Sequence, residues 1–182
     1  MEERFGKFAN MTEEEFRYFV EQDIERFFHI EREVWGTHLT GIKLRIDAII
    51  RPKDTADWAN KNIAFGVEFK SPSMLKTLGS QLAFSKQCID YSHTNFQGYG
   101  FIPILMFPKL TTDSYITERC AQGYRHIFNQ FLVGEMDYYE HYATEYKKKV
   151  LCIKMADAHC IWADGKVYEG NRNKLIQKFG SK

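Results

Sequence analysis

Alternating apolar and polar positions mark two strands in the first half of the chain. In residues 42–50 every even position is apolar, and the odd positions before 49 are charged, Asp47 being the last of them. In residues 63–70 the odd positions are apolar, while Glu68 and Lys70 lie at even positions. A side-chain period of two residues is typical of a strand that buries one face. Both segments are therefore predicted to be strands with one apolar and one polar face.

A helix is predicted to begin after Thr12, because Glu15 completes a capping box and apolar residues follow at helical spacing. Within a helix predicted over 79–92, Leu82, Cys88 and Ile89 are expected to face inward. The other predicted elements are a strand over 29–35, a central strand over 101–107, a helix over 115–131, a hairpin over 150–168 and a helix over 173–179. This order predicts an α/β fold with a mixed central sheet of about four strands flanked by helices, plus a C-terminal hairpin and helix.

Composition limits the class of protein. The chain has 182 residues, 44% of them hydrophobic and 15% aromatic, which excludes a disordered polypeptide. No linker or repeat divides it, so residues 1–182 are expected to form a single domain. The longest apolar stretch, 101–107, is far shorter than the roughly 20 residues of a membrane helix. With no secretory signal at the amino terminus, a cytoplasmic protein is expected.

The charge distribution indicates which binding partners to consider, and the cysteine spacing bears on whether a zinc site is expected. The net charge of +1 divides into an acidic segment over residues 1–40 and a basic segment over 41–182. Clustered Lys and Arg side chains favour binding to a polyanion such as nucleic acid. The four cysteines form no Cys-x-x-Cys pair, so a zinc site of the usual spacing is not expected.

Pairing the two alternating strands would bring charged side chains together. If both apolar rows pack against one layer, Asp47, Glu68 and Lys70 emerge on the opposite face of the sheet, with Ala64 and Gly66 leaving room beneath them. Each residue taken alone is better explained as a solvated surface charge. Their convergence favours a site for a divalent cation, since Mg²⁺ binds hard oxygen ligands and completes its shell with water and substrate phosphate.

These residues resemble the PD-(D/E)XK nuclease superfamily, which has the restriction-endonuclease-like fold. The resemblance rests on Asp47, on Glu68-Phe69-Lys70, and on Gln87 and Tyr91, which are similar to the Gln-x-x-x-Tyr motif of the RecB-like branch. It covers roughly residues 12–108 in the order of elements. Ile46 stands where the family often has proline before the aspartate.

The resemblance implies a role for each residue. Asp47, Glu68 and the backbone carbonyl of Phe69 would bind Mg²⁺, for which Mn²⁺ can substitute, and Lys70 would orient or deprotonate the attacking water. Gln87 and Tyr91 would complete the site from the following helix. The family often adds an acid from the first helix, where Glu21 is preferred here over three alternatives, Glu13, Asp23 and Glu25.

The implied function is Mg²⁺-dependent hydrolysis of phosphodiester bonds by an exonuclease or a non-specific endonuclease, with DNA as the preferred substrate and RNA as the open alternative. A structure-selective junction resolvase of the same superfamily is an alternative and would require a dimer. A second alternative is a non-catalytic protein that keeps the fold for nucleic-acid binding or assembly. A homo-oligomer or an accessory protein would have to supply any sequence specificity.

Overall fold

The chain forms an α/β structure in which a mixed sheet is flanked by helices. The computed structural model describes residues 11–55, 60–110, 127–128, 130–141, 148–155, 158–163 and 166–170. Within these ranges, the helices are α1 (Glu13–Ile24) and α2 (Leu78–Ser92), with a short 3₁₀ helix at Pro72–Leu75. The strands are β1 (Phe28–His38), β2 (Lys43–Pro52), β3 (Phe65–Phe69), β4 (Thr94–Phe96), β5 (Ile104–Phe107), β6 (Val133–His141), β7 (Lys148–Met155), β8 (Ala158–Ala163) and β9 (Lys166–Gly170).

The strands form one sheet in the order β4-β1-β2-β3-β5-β6-β7-β8-β9. Strands β1, β2 and β3 form an antiparallel meander, and β3, β5 and β6 run parallel to one another. Helix α2 lies in the connection between β3 and β5, as a parallel pair requires a crossover. The remaining pairs, from β6 to β9, are antiparallel.

The two helices cover opposite faces of the sheet. Helix α1 begins at the predicted capping box, where the Thr12 hydroxyl accepts from the Glu15 amide and the Glu15 carboxylate accepts in return. Its apolar stripe packs with one set of strand residues, among them Phe65, Val67 and Phe69 of β3. Helix α2 packs on the other face, against residues that include Ile46, Ile49 and Ile104. Both cores lie beside the part of the sheet where β2 meets β3.

The first two strands are irregular at Asp47. Strands β1 and β2 stay in register on both sides of Glu33 and Asp47, but these two residues are not themselves paired. Glu33 has a φ of 55°, in the left-handed region that non-glycine residues rarely adopt. Ile46 consequently packs on the α2 side, whereas Ala48 packs on the α1 side. The expectation that all even positions of this strand share one face is therefore wrong.

The fold differs from the sequence prediction mainly in the size of the sheet. It has nine strands in the described residues rather than about four, because the second half of the chain extends the same sheet. Residues 150–168, predicted to be one hairpin, contribute to three consecutive antiparallel strands. Most of the helix predicted over 115–131 and all of the helix predicted over 173–179 lie outside the described residues.

Helix α2 confirms the prediction over 79–92 but not every inward position. Cys88 is buried and Ile89 is partly buried, whereas Leu82 is 54% exposed. No helix among the described residues is long and apolar enough to span a membrane.

Candidate active site

The side chain of Asp47 lies where strands β2 and β3 separate. The pairing of these strands runs from Ile50 and Phe65 to Ala48 and Val67. One step further, the Asp47 Oδ2 atom accepts a hydrogen bond of 2.8 Å from the Phe69 amide. The carboxylate therefore takes a main-chain donor of β3 and stays fixed at the point where the sheet opens.

Glu68 and Lys70 are in contact beside Asp47. The Lys70 Nζ atom is 3.5 Å from the Glu68 Oε1 atom. Glu68 is only 3% exposed, and its Oε2 atom is buried without a hydrogen-bond partner in the described part of the chain. A buried carboxylate oxygen without a partner is costly to maintain, so this atom is a candidate ligand for a cation.

Helix α1 supplies two residues to the same cluster. The Glu13 Oε1 atom is 3.1 Å from Lys70 Nζ, and the Arg17 Nη1 atom is 3.4 Å from Asp47 Oδ1. The cluster therefore receives charges from both sides of the sheet rather than lying on one face, as the sequence had suggested. Arg17 was not predicted from the sequence. Its only signal is that it follows Glu13 by four residues and so shares a face of α1.

The preferred first-helix acid, Glu21, lies elsewhere. Its side chain is 1% exposed, and its Oε2 atom is 2.6 Å from the Nε atom of Arg32 on β1. Glu21 lies eight residues beyond Glu13, which is about 12 Å along a helix. Glu13, one of the three alternatives to Glu21, contacts the cluster through Lys70.

Helix α2 brings Gln87 and Tyr91 to the site, as their four-residue spacing predicted. The Gln87 Nε2 atom donates to Glu68 Oε1 at 2.6 Å and to the Tyr91 hydroxyl at 3.1 Å. The Tyr91 hydroxyl donates to the Arg45 carbonyl at 2.8 Å. Gln87 thus orients Glu68, while Tyr91 joins α2 to strand β2 two residues before Asp47.

The space above Gly66 is filled. A side chain at this position would meet the Cδ1 atoms of Ile46 and Ile104 at 2.6 and 2.7 Å. The prediction that Gly66 leaves open space beneath the charged cluster is therefore wrong. Gly66 instead allows two isoleucines to pack against the backbone of β3.

A divalent cation is compatible with these donors. No group of three His, Cys, Asp or Glu side chains in the described ranges is arranged to hold a metal ion. Asp47 and Glu68 offer two carboxylates, which suits Mg²⁺, because this ion is usually bound by one or two carboxylates, with water and substrate phosphate as further ligands. The unpartnered Oε2 atom of Glu68 is the observation that favours such an ion.

The cluster shifts the proton affinities of its members. Burial raises the pKa of Glu68 to about 8, and the nearby Asp47 carboxylate adds to the effect. Burial lowers the pKa of Lys70, but the carboxylates of Glu68 and Glu13 outweigh it and the pKa is raised on balance. Burial and the Glu68 carboxylate also raise the pKa of Tyr91. Without a bound cation, Lys70 is therefore charged, and Tyr91 is neutral, at physiological pH.

Stability of the metal-free protein should fall with pH because of Glu68. Its pKa is about 8 in the folded protein against 4.5 for an unperturbed glutamate, so the folded state holds the proton more tightly. The resulting stabilisation is complete below about pH 4.5 and is lost as the pH rises through about 8. Glu68→Gln, which cannot ionise, should become more stable relative to wild type by a few kcal/mol between these limits.

Urea unfolding at several pH values, in the presence of a chelator, measures this difference. Glu14→Gln is the control, because Glu14 is an exposed acid of α1. Its free energy of unfolding should change with pH in parallel with that of wild type. If the free energy of unfolding of Glu68→Gln also changed with pH in parallel with that of wild type, this would contradict the burial of an ionisable group at this position.

Comparison with known proteins finds no relative of this chain. No protein-family model, no curated protein and no solved structure matches the chain. The functional interpretation depends on the cluster formed by Asp47, Glu68 and Lys70 and on its neighbours from the two helices.

Proposed function

We propose that this protein is a Mg²⁺-dependent nuclease that hydrolyses phosphodiester bonds in DNA. The observation that carries the proposal is the contact cluster of Asp47, Glu68 and Lys70, in which a buried oxygen of Glu68 has no partner among the described residues. Two carboxylates beside one ammonium form a donor set suited to a metal ion and an anionic substrate.

The order of elements supports a restriction-endonuclease-like core. Helix α1 is followed by the meander β1-β2-β3, then by α2 and by β5, which is parallel to β3. This is the part of the chain in which the sequence resembles the PD-(D/E)XK superfamily. The six elements bring Asp47, Glu68 and Lys70 to the junction of β2 and β3, which supports the proposed core.

Asp47 and Glu68, with the backbone carbonyl of Phe69, would hold the cation. When bound, Mg²⁺ polarises the scissile phosphate and lowers the pKa of a coordinated water. Gln87 keeps one oxygen of Glu68 occupied through its amide, which leaves Oε2 as the oxygen available for a ligand. The Phe69 amide similarly fixes Oδ2 of Asp47.

Lys70 would act through its positive charge. As an ammonium it would donate hydrogen bonds to the attacking water and to phosphate oxygens as negative charge develops on them. The pKa of Lys70 is raised in the metal-free protein. A cation bound by Asp47 and Glu68 would lower it again, towards a value at which the amine can act as a base. Glu13 holds the ammonium from the opposite side at 3.1 Å, so it acts as a positioning residue.

The proposal predicts degradation of DNA by the purified protein in the presence of Mg²⁺ or Mn²⁺. Addition of a chelator should stop the reaction, and restoring the metal should restart it, because the cation is required for the chemistry. Release of acid-soluble nucleotides from linear and closed circular DNA measures the activity. Activity that persists in excess chelator would contradict the proposal, and metal-independent DNA binding without cleavage would favour a binding module instead.

A further inference from the structure

A second surface lies beside the charged cluster, on the sheet formed by β2, β1 and β4. Trp35 pairs with Arg45, and Thr37 pairs with both Lys43 and Asn95. Because side chains alternate along a strand, these five residues lie on the same face of the sheet. That face is opposite the one on which Val34 and Ile46 pack against α2.

The surface contains a groove of about 390 Å³, lined by Trp35, Gly36, Thr37, Lys43, Asn95 and Gln97. Its volume is within the range of small-molecule sites, about 300–1,000 Å³. Trp35 is 55% exposed, which is high for the largest apolar side chain. The groove is therefore an exposed aromatic platform with polar edges rather than an apolar patch.

Its polar groups are available to a ligand. The side-chain amides of Asn95 and Gln97 are exposed and have no hydrogen-bond partner within the described residues. The Lys43 Nζ atom donates to the Thr37 hydroxyl at 2.7 Å, which uses one of the three donors of an ammonium group. The guanidinium of Arg45 lies 5.7 Å from the centre of the Trp35 ring, so a cation supports the indole on that side.

A series of contacts joins this groove to the candidate active site. Arg45 pairs with Glu33 at 3.0 Å, and Arg17 lies 3.9 Å from Glu33 and 3.4 Å from Asp47. Along β2, Arg45 is two residues from Asp47, or about 7 Å. The Trp35 end of the groove is thus paired with a residue only two positions from Asp47.

We propose that this groove binds an unpaired nucleotide of the substrate strand, with the base stacked on Trp35 and the phosphate beside Lys43. The inference rests on the proposed nuclease function. An indole face accepts any base, and the amides of Asn95 and Gln97 can bond to its edge. A base stacked inside a duplex does not present its face, so the groove selects single strands.

The affinity of a labelled twelve-nucleotide thymidine oligomer, measured by fluorescence anisotropy in the presence of a chelator, tests this site without cleavage. Trp35→Ala should weaken binding about tenfold or more, since stacking contributes about 1–3 kcal/mol per base. Trp35→Phe should stay within about threefold of wild type, because it keeps an aromatic face. The logarithm of the binding constant falls linearly with the logarithm of the salt concentration. Lys43→Gln should make this slope less steep by about 0.7, the value expected for one phosphate contact to a single strand.

Phe101→Ala is the matched control, since Phe101 is 53% exposed but does not line the groove. Its affinity should equal that of wild type. The site would be overturned if wild type did not bind the oligomer, or if Trp35→Ala bound it as tightly as wild type. It would also be overturned if Trp35→Ala lost as much affinity for duplex DNA as for single-stranded DNA. Loss of binding in Trp35→Ala, together with a wild type that never cleaves DNA, would uphold the groove and contradict only the nuclease function.

Discussion

Replacing Lys70 with alanine is expected to lower the rate of DNA hydrolysis at least about a hundredfold while the protein stays folded. Removing one preorganised donor to a developing negative charge typically costs about 10²–10³ in rate. Lys70 contacts Glu68 and Glu13 but belongs to neither apolar core, so its loss leaves the packing intact. The measurement is the initial rate of cleavage with saturating Mg²⁺, alongside circular dichroism of both proteins.

Two further lysine variants make this result specific. Lys86→Ala removes an exposed lysine of α2 that pairs with Asp90 at 2.6 Å, and it should keep the wild-type rate. Lys70→Arg keeps the charge but not the shape of an ammonium, so its rate should lie between those of Lys70→Ala and wild type. A Lys70→Ala protein that retains more than a tenth of the activity would exclude Lys70 from the reaction.

Replacing Arg32 with methionine is expected to lower the free energy of unfolding by about 3–5 kcal/mol, the usual cost of leaving a buried charge without its partner. The buried Glu21 carboxylate receives a hydrogen bond of 2.6 Å from Arg32, and its other oxygen has no partner among the described residues. Chemical denaturation at pH 8 measures the loss.

A second change should rescue this variant. Adding Glu21→Gln to Arg32→Met removes the unpaired charge and should recover most of the lost stability. Arg26→Met is the control, since Arg26 is 69% exposed and lies 3.7 Å from Asp23, and it should cost less than about 1 kcal/mol. An Arg32→Met protein as stable as the Arg26→Met control would show that Glu21 does not depend on Arg32.

The central residues of the site could be predicted because strand alternation is a local property. Glu68 and Lys70 are two residues apart on one strand, so the sequence alone indicates that they are neighbours. The four-residue spacing of Gln87 and Tyr91 likewise indicates one face of a helix. These local relations are preserved in the structure, where all four residues are linked by contacts.

The contribution of helix α1 could not be predicted in the same way. Glu13, Arg17 and Glu21 follow one another at intervals of four, so all three lie along one stripe of the helix. Which of them reaches the cluster depends on how far the helix is shifted along its own axis over the sheet. That shift is set by packing of Phe16, Val20 and Ile24 against distant strands and is not encoded locally.

The same limit applies to the irregularity at Asp47 and to the size of the sheet. Regular alternation predicts Ile46 on the same face as Ala48, but the unpaired position opposite Glu33 separates them. Strand β6 contains polar and tyrosine-rich sequence that gave no clear period, and its place in the sheet depends on its pairing with β5. Long-range pairing therefore decides what the local pattern leaves open.

The proposed chemistry requires a divalent cation held between Asp47 and Glu68, and anomalous diffraction from a crystal grown with Mn²⁺ tests this most directly. We expect one strong anomalous peak about 2.1 Å from a carboxylate oxygen of each residue, with the Phe69 carbonyl as a third ligand. In Glu68→Gln crystals the peak should weaken or disappear. A wild-type crystal without a peak at this position, or with manganese bound only elsewhere, would contradict the proposed site.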